Sequence, residues 1–302
     1  MLPLEASYEA IHHGVAGRVV RAEAITVHGP DALSYLQGQC TQDLEALSPG
    51  DSAESLLLSP QGKLDAYVRI LVRGPEEAVV LVAEGHGEAV LERLRRFKLR
   101  IKAEFELTSV TVVELRGPSS GEVAAHLEGV SAIAVDWPGY SGLDLLGLAE
   151  LPDAVPEGDP GAFEASRIEA GQPLMGSELS ERTIPPEAGI VGRTVSFTKG
   201  CFTGQELVAR LDARGNRVPR NLRAVVLPTE SGAKAGDQLV RDGAALGELT
   251  SVAYSPGAHG LVALAYVRRE VEPPATLELG SEEGRVSTAT FSADVRELPT
   301  AN

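Results

Sequence analysis

Residues 199–206 carry the side chains best suited to chemistry in this sequence. The run reads Lys199-Gly200-Cys201-Phe202-Thr203-Gly204-Gln205-Glu206. Thr203 and Glu206 have the spacing of a capping box, which predicts a helix with Thr203 as its N-cap. Cys201 would then lie before the positive end of that helix and close to Lys199, and both features favour a thiolate. The pattern predicts a reactive or ligand-contacting thiol; the alternative is a buried structural cysteine at a turn.

Two further features of the sequence concern basic residues and the second cysteine. A series of arginines follows the cysteine segment: Arg210, Arg214, Arg217, Arg220 and Arg223. They predict a surface that attracts an anionic ligand, and the alternative is a loop made soluble by its charge. Cys40 lies between Gln39 and Thr41 at a predicted helix boundary, which favours a structural role.

Two carboxylates stand out as candidate ligand contacts. Glu169 falls in the last turn of a predicted helix, where its charge opposes the helix dipole, and it shares a face with small residues, as a pocket would require. Asp65 closes the segment Gln61-Gly62-Lys63-Leu64-Asp65. For each of them the alternative is a solvated side chain at the end of a helix or strand.

Composition limits the possible classes of protein. The chain has 302 residues, 43% of them hydrophobic, which predicts two or three domains with real cores. Its net charge of −16 argues against direct binding of nucleic acid. Two cysteines outside any CxxC pair fit a reducing cytoplasm, and the sequence shows no signal peptide or membrane-spanning stretch. P-loop, dinucleotide-binding and metal-ligand motifs are missing as well, so no metal site is predicted.

Periodicity predicts an α+β fold, because strands and helices alternate without a regular βαβ rhythm. Predicted strands cover residues 19–27, 52–58, 67–72, 78–82 and 105–115. Predicted helices cover residues 30–36, 88–96, 121–127 and 161–170, the last with Asp159 as its N-cap and Gly171 beyond its end. After Asn221, short strands punctuated by glycine predict a small β-barrel.

These segments resemble a known family. The cysteine segment resembles the K-G-C-[aromatic]-x-G-Q-E signature of the YgfZ-type folate-binding proteins, which are relatives of the glycine-cleavage T-protein (aminomethyltransferase). Further blocks are similar in family order along nearly the whole chain: residues 35–43, 59–65, 167–171, 183–187 and 263–268.

The resemblance implies a three-domain arrangement around a central folate-binding hole. The first domain would be discontinuous, with residues 1–50 and 131–220, and would carry the cysteine signature. Residues 51–130 would form a second α+β domain, and residues 221–302 the C-terminal β-barrel.

The resemblance also implies roles for individual residues. Glu169 would hydrogen-bond the pterin ring of tetrahydrofolate, since a carboxylate can accept paired N–H donors. Asp65 would assist one-carbon transfer, although the Asp-Asp pair of the aminomethyltransferases is Asp65-Ala66 here. Three other expected cofactor contacts lie in these blocks, Arg167, Lys199 and Gln205, and a fourth is Arg210, the first of the arginine series, which could hold the glutamate tail of a folate. Cys201 would be the essential thiol.

Two functions follow from the resemblance. The first is a tetrahydrofolate-binding accessory protein in iron–sulfur cluster assembly or maintenance, with folate and iron–sulfur client or assembly proteins as partners. It would act through Cys201 and influence tRNA modification only indirectly. The second is a folate-dependent aminomethyltransferase or related one-carbon transferase that uses Asp65. We expect a cytoplasmic monomer that contacts neither membrane nor nucleic acid.

Overall fold

A computed structural model describes residues 1–280 and 291–300 of the chain. The helices in these residues are α1 (Leu4–His13), α2 (Ala32–Gln39), α3 (Gly87–Arg96), α4 (Ser120–Ala124), α5 (Pro160–Glu169), α6 (Val191–Thr194) and α7 (Gln205–Asp212). The first strands are β1 (Ala16–His28), β2 (Ser52–Leu58), β3 (Leu64–Gly74), β4 (Glu77–Ala83), β5 (Glu104–Arg116), β6 (Ser131–Trp137) and β7 (Tyr140–Leu146). The last strands are β8 (Arg220–Leu227), β9 (Gln238–Arg241), β10 (Ala244–Ser255), β11 (Gly260–Arg268), β12 (Ala275–Gly280) and β13 (Ser292–Arg296).

The first seven strands form one sheet in the order β2-β3-β4-β1-β5-β7-β6. Each neighbouring pair is antiparallel, and β1 lies at the centre between β4 and β5. Buried and partly exposed residues alternate along the first half of β3, as expected of a strand whose two faces meet different surroundings. An antiparallel sheet with separate helices fits the α+β class predicted from periodicity.

The sheet curls until its two edges approach each other. Arg69 on β3, next to one edge strand, donates a hydrogen bond from Nη1 to the carbonyl of Ala134 on β6, the opposite edge strand, at 2.7 Å. Leu71 on β3 and Ile133 on β6 belong to one buried cluster with Ala24 of the central strand. The concave face of the sheet therefore brings together residues that are far apart in sequence.

Helices pack on the convex face of the sheet and connect the sheet to the C-terminal barrel. On the convex face, Leu36 of α2 and Leu94 of α3 pack against Ile25 and Ile70 of the sheet. Helices α1 and α5 pack on each other, and Phe163 of α5 shares a buried cluster with strands of the C-terminal barrel. Helix α5 is therefore the main contact between the barrel and the remainder of the chain.

Strands β8 to β13 close into a barrel with the order β10-β11-β8-β13-β12-β9. The barrel predicted after Asn221 is confirmed, with its first strand beginning at Arg220, two residues before the predicted start at Leu222. Residues 281–290 and 301–302 of the predicted barrel lie outside the described residues. Strand β13 was not predicted.

The predicted α+β class and barrel are therefore confirmed. The division of residues 1–220 into two domains stays a prediction, although strands from both of these domains share the one sheet.

The caps of α5 are as predicted: the Asp159 side chain accepts a hydrogen bond from the Gly161 N–H at 2.8 Å, and Gly171 has a φ of +66° beyond the helix. In the part of the chain that the structure describes, no helix is both long and apolar enough to span a membrane.

Candidate functional site

The cysteine signature forms a loop that is anchored on both sides of Cys201. Lys199 is buried, and its ammonium donates to the backbone carbonyls of Gln37 at 2.7 Å, Cys40 at 3.0 Å and Gln42 at 2.7 Å. Burial lowers the pKa of Lys199. These contacts use all the protons of the ammonium, so Lys199 connects the loop to the end of α2 and leaves no proton for a ligand.

Cys201 is exposed, whereas its neighbour Phe202 is buried in a core formed with strands β2 and β3. The Thr203 N–H donates to the carbonyl of Gly38 at 3.2 Å, which adds a second connection to α2. The buried structural cysteine considered from the sequence is therefore excluded for Cys201. It applies instead to Cys40, which is fully buried and whose pKa is raised by that burial.

The predicted capping box is wrong. Helix α7 begins at Gln205, and its N-cap is Gly204, which has a φ of +81°. A Cβ at Gly204 would lie 2.6 Å from the carbonyl oxygen of Ser59, and one at Gly62 would lie 2.5 Å from Cβ of Leu207. The two glycines therefore allow the signature loop and the turn before β3 to pack backbone against backbone. This close approach determines where the helix begins.

Asp65 lies on the side of the sheet covered by α3 and forms an ion pair with Arg93. The distance from Arg93 Nε to Asp65 Oδ2 is 3.1 Å. Arg93 is buried, and it also donates from Nη1 to Gln39 Oε1 and from Nη2 to the carbonyl of Leu58, both at 3.0 Å. The Asp65 side chain keeps an exposed fraction of 31%. Arg93 therefore joins the predicted blocks 35–43 and 59–65 to the end of β2 and leaves Asp65 accessible.

Glu169 lies at the junction of α1, α5 and the barrel, and hydroxyl groups surround its carboxylate. The Tyr8 hydroxyl donates to Oε2 at 2.9 Å, the Tyr140 hydroxyl donates to the same oxygen, and the Ser255 hydroxyl donates to Oε1. Burial is the main cause that raises the pKa of Tyr140, and the interactions with Glu169 raise it further. For Glu169 to contact a pterin, as the resemblance implies, these hydroxyls would have to share or release the carboxylate. That role stays a prediction.

The remaining predicted contacts lie on helices α5 and α7. Arg167 is buried, with Nη2 at 2.6 Å from Glu164 Oε1 and Nη1 at 3.3 Å from Oε2 of the buried Glu178. This pairing directs its guanidinium into the protein. Gln205 begins α7 and is half-buried, whereas Arg210 near the end of the same helix is exposed. Their predicted roles in ligand binding stay predictions.

A cavity near the edges of the sheet contains none of these predicted residues. It has a volume of about 610 Å³ and lies where β2, β3 and β6 meet the segment around α6 and the end of the chain. Its charged lining residues are Glu54, Arg69, Asp136 and Arg193.

Glu54 connects the two arginines of this cavity. Its Oε1 lies 2.8 Å from Arg69 Nη2, and its Oε2 lies 3.1 Å from Arg193 Nε. The second contact is close enough for an ion pair but is not aligned as a hydrogen bond. In the described residues, Arg193 Nε and Nη2 therefore have no hydrogen-bond partner. The lining combines carboxylate acceptors with guanidinium donors, which suits a ligand that carries both amino and carboxylate groups.

Comparison with known proteins identifies the family. Residues 220–295 match the glycine cleavage T-protein C-terminal barrel domain. An aminomethyltransferase of Rubrobacter xylanophilus is 30% identical over 282 residues, which cover 82% of this chain and 74% of that protein. The chain belongs to the glycine-cleavage T-protein (aminomethyltransferase) family.

Other relatives place the chain among the YgfZ-like members of this family. A tRNA-modifying protein YgfZ of Pectobacterium carotovorum is 28% identical over 215 residues, which cover 63% of this chain and 64% of that protein. The crystal structure of the glycine cleavage system aminomethyltransferase T from Bartonella henselae matches with a TM-score of 0.81 and 19% identity, and covers 99% of this chain and 89% of that one. The resemblance inferred from the signature is confirmed, and so is the fold that it implied.

Sequence reasoning missed Arg93 and all the charged residues that line the cavity of this YgfZ-like protein. The helical pattern could have indicated that Arg93 is buried, because it lies next to the inward-facing Leu94 and so falls near the buried face of α3. Glu54, Arg69 and Asp136 lie singly on strands, in patterns that are typical of solvated side chains. Glu54 and Arg69 are partners on the neighbouring strands β2 and β3, and only the curl of the sheet, which the periodicity does not indicate, brings Asp136 close to them.

Proposed function

We propose that this protein is a tetrahydrofolate-binding accessory protein for iron–sulfur enzymes and that Cys201 is its working thiol. The observation that carries this proposal is the construction of the signature loop. Lys199 and Phe202 are buried and hold the loop in place, while the Cys201 side chain between them is exposed. A thiol presented in this way is accessible to a large partner, such as a client protein with a cluster or a reactive cysteine.

The cavity at the edges of the sheet supports the folate part of the proposal. Its volume of about 610 Å³ is in the usual range for sites of small ligands. Asp136 offers a carboxylate acceptor for the amino edge of a pterin, and Arg69 and Arg193, which Glu54 holds in place, offer guanidinium donors for the glutamate carboxylates. The residues present therefore fit tetrahydrofolate, which when bound would supply one-carbon or reducing chemistry.

A folate-dependent transferase is the second candidate, because the Asp65 carboxylate is partly exposed and the chain is similar to several aminomethyltransferases. In that case Asp65 would act on the folate directly. Its ion pair with Arg93 orients the carboxylate. The two candidates differ in the residue that they require, Cys201 in the first and Asp65 in the second.

The first part of the test is anaerobic calorimetric titration with tetrahydrofolate. We expect wild type and Cys201→Ser to bind equally, and we expect Asp136→Ala to lose about 1.5–3 kcal/mol of binding free energy, the usual value for a hydrogen bond to a charged group. Glu106→Ala, an exposed acid on β5 away from the cavity, is the matched control. Equal affinity in Asp136→Ala and Glu106→Ala would remove the cavity from the proposal.

The second part separates the two candidate functions. We expect wild type with tetrahydrofolate to slow the loss of the cluster from an aconitase-type iron–sulfur enzyme in air, and we expect Cys201→Ser to give no protection although it binds folate. Single-turnover one-carbon transfer should be undetectable in the same samples. Protection by Cys201→Ser equal to that of wild type would refute the role of the thiol. Transfer that disappears in Asp65→Asn would identify the protein as a transferase.

A further inference from the structure

The last turn of α3 and the residues after it concentrate positive charge in a chain that is otherwise acidic. Residues 93–102 read Arg-Leu-Arg-Arg-Phe-Lys-Leu-Arg-Ile-Lys, with no acidic residue, whereas the whole chain has a net charge of −16. Arg93 points inward to Asp65. We call residues 95–102 the basic loop; they comprise the last two residues of α3 and most of the connection from α3 to β5.

The basic loop is held at both ends, and one apolar side chain is left exposed. Ile101 packs against the core beneath α2 and α3, and the Lys102 N–H donates to Asp31 Oδ2 at 2.8 Å. Phe97 is half-buried, with its ring 5.1 Å from the guanidinium carbon of Arg93. Leu99, between these anchors, is 81% exposed. The loop therefore presents a leucine to solvent from a supported position.

Most charges of the basic loop have no ion-pair partner among the described residues. Lys98 pairs with Glu104 at 3.0 Å. Of the residues that the structure describes, none forms an ion pair with the exposed side chains of Arg95, Arg96, Arg100 and Lys102. Repulsion between neighbouring like charges is unfavourable in the isolated protein. An acidic partner would remove this repulsion.

We propose that the basic loop is a docking surface for an acidic segment of a partner protein, with an apolar side chain of that segment seated against Leu99. The charge of the loop matches an acidic partner, and the leucine offers an apolar contact at its centre. A long polyanion is less suitable, because the strongly acidic remainder of the chain would repel its continuation. At physiological ionic strength, salt largely screens interactions between exposed charges that are more than about 8 Å apart. A short acidic segment on the loop would therefore be attracted by the loop and only weakly repelled by the acidic remainder of the chain.

The position of the loop connects docking to the candidate site. Helix α3 contacts Asp65 through Arg93, while its last residues, Arg95 and Arg96, belong to the basic loop. A partner on the loop would therefore contact the same helix that holds Asp65. The proposal does not depend on folate binding, and failure of either one leaves the other standing.

The test uses a fluorescent peptide with glutamates around a single leucine, added to the full-length protein. We expect the variant R95Q/R96Q/R100Q/K102Q to bind this peptide at least about tenfold more weakly than wild type, because four weak charge contacts are lost. The control R241Q/R268Q/R269Q/R296Q removes the same number of positive charges from the barrel and should bind like wild type. Wild-type binding should weaken as potassium chloride is added.

A second variant tests the leucine contact. L99S should weaken binding of the leucine peptide several-fold. It should leave unchanged the binding of a peptide whose leucine is replaced by serine, so that a double-mutant cycle shows the two leucines to be coupled. Equal peptide binding by the two quadruple variants would overturn the proposal. Loop-dependent binding of polyuridine RNA or phosphatidylserine vesicles without peptide binding would also overturn it. So would loop-dependent self-association in sedimentation, which would make a second copy of the chain the occupant.

Discussion

The surroundings of Glu169 and of Asp65 differ in the kind of donor that holds each carboxylate. Glu169 accepts hydrogen bonds from the neutral hydroxyls of Tyr8, Tyr140 and Ser255, which come from α1, β7 and β10. Asp65 pairs with one guanidinium, that of Arg93, which is itself held by two further acceptors. The first arrangement is a junction between chain segments, and the second is a supported but accessible acid.

This difference indicates a structural role for Glu169 and leaves a chemical role open to Asp65. The hydroxyls around Glu169 connect the barrel to the N-terminal helix, so losing the carboxylate should affect the assembly of the domains. Around Asp65, the buried partner is the arginine, and the carboxylate keeps an exposed fraction of 31%. Losing the arginine should therefore be costly, whereas the acid itself remains free to act on a ligand.

The largest expected effect comes from Arg93→Ala. This substitution leaves Asp65, Gln39 and the Leu58 carbonyl without their donor, in a site where the guanidinium is buried. We expect the free energy of unfolding in urea to fall by about 3–5 kcal/mol, as is usual when one partner of a buried ionic contact is removed.

Arg95→Ala is the matched control for this prediction, because Arg95 is exposed on the same helix. It should change the free energy of unfolding by less than about 0.5 kcal/mol. Similar losses in the two variants would mean that the contacts of Arg93 do not stabilise the Asp65 region, and the contrast with Glu169 would disappear.

Glu169→Ala should have the next largest effect. The hydroxyls of Tyr8, Tyr140 and Ser255 would lose a charged acceptor, so we expect unfolding to become easier by about 1.5–3 kcal/mol. Glu164→Ala is the control: it removes a half-exposed acid from the same helix, where Arg167 keeps Glu178 as a partner, and should cost less than about 1 kcal/mol.

The same samples test the predicted pterin contact of Glu169. Weaker tetrahydrofolate binding by folded Glu169→Ala would give this residue a second role at a ligand. Loss of stability with unchanged folate affinity would leave it with the junction alone. Stability equal to that of wild type would show that the hydroxyl contacts contribute nothing and would contradict the comparison above.

Much of the fold could be predicted because its signals are local. The Asp159 cap and Gly171 bound α5, and glycines between short apolar runs indicate the barrel. Strands β6 and β7 were missed, because their small residues, such as those in Ser131–Trp137, give a weak alternation. The helix start near Cys201 was misplaced, because a tertiary contact of Gly204 overrides the local capping signal.

The candidate site could be predicted only where a motif carried it. Cys201 and Asp65 belong to recognisable blocks, and the structure leaves both at least partly exposed. The partners of Glu169 could not be predicted, since Tyr8 lies 161 residues before it and Ser255 lies 86 residues after it. Such contacts depend on how the barrel packs against α1 and α5, which no local pattern encodes.

The smallest expected effect is a change in alkaline stability on substituting Tyr140. Burial and the adjacent Glu169 raise the pKa of Tyr140 above its usual value of 10.0, so the folded protein retains the phenolic proton at a pH where the unfolded chain releases it. The stabilisation from this proton is complete below about pH 10 and is lost as the pH rises further, at up to about 1.4 kcal/mol per pH unit.

Tyr140→Phe removes this linkage together with the hydrogen bond. At neutral pH the variant should be less stable than wild type, and above pH 10 its free energy of unfolding should fall less steeply, so that the two curves converge. Urea unfolding from pH 8 to pH 11 measures both slopes, with Tyr254→Phe as a control for removing a tyrosine from the surface, where Tyr254 is 37% exposed. Parallel curves for wild type and Tyr140→Phe would contradict the coupling between Tyr140 and Glu169.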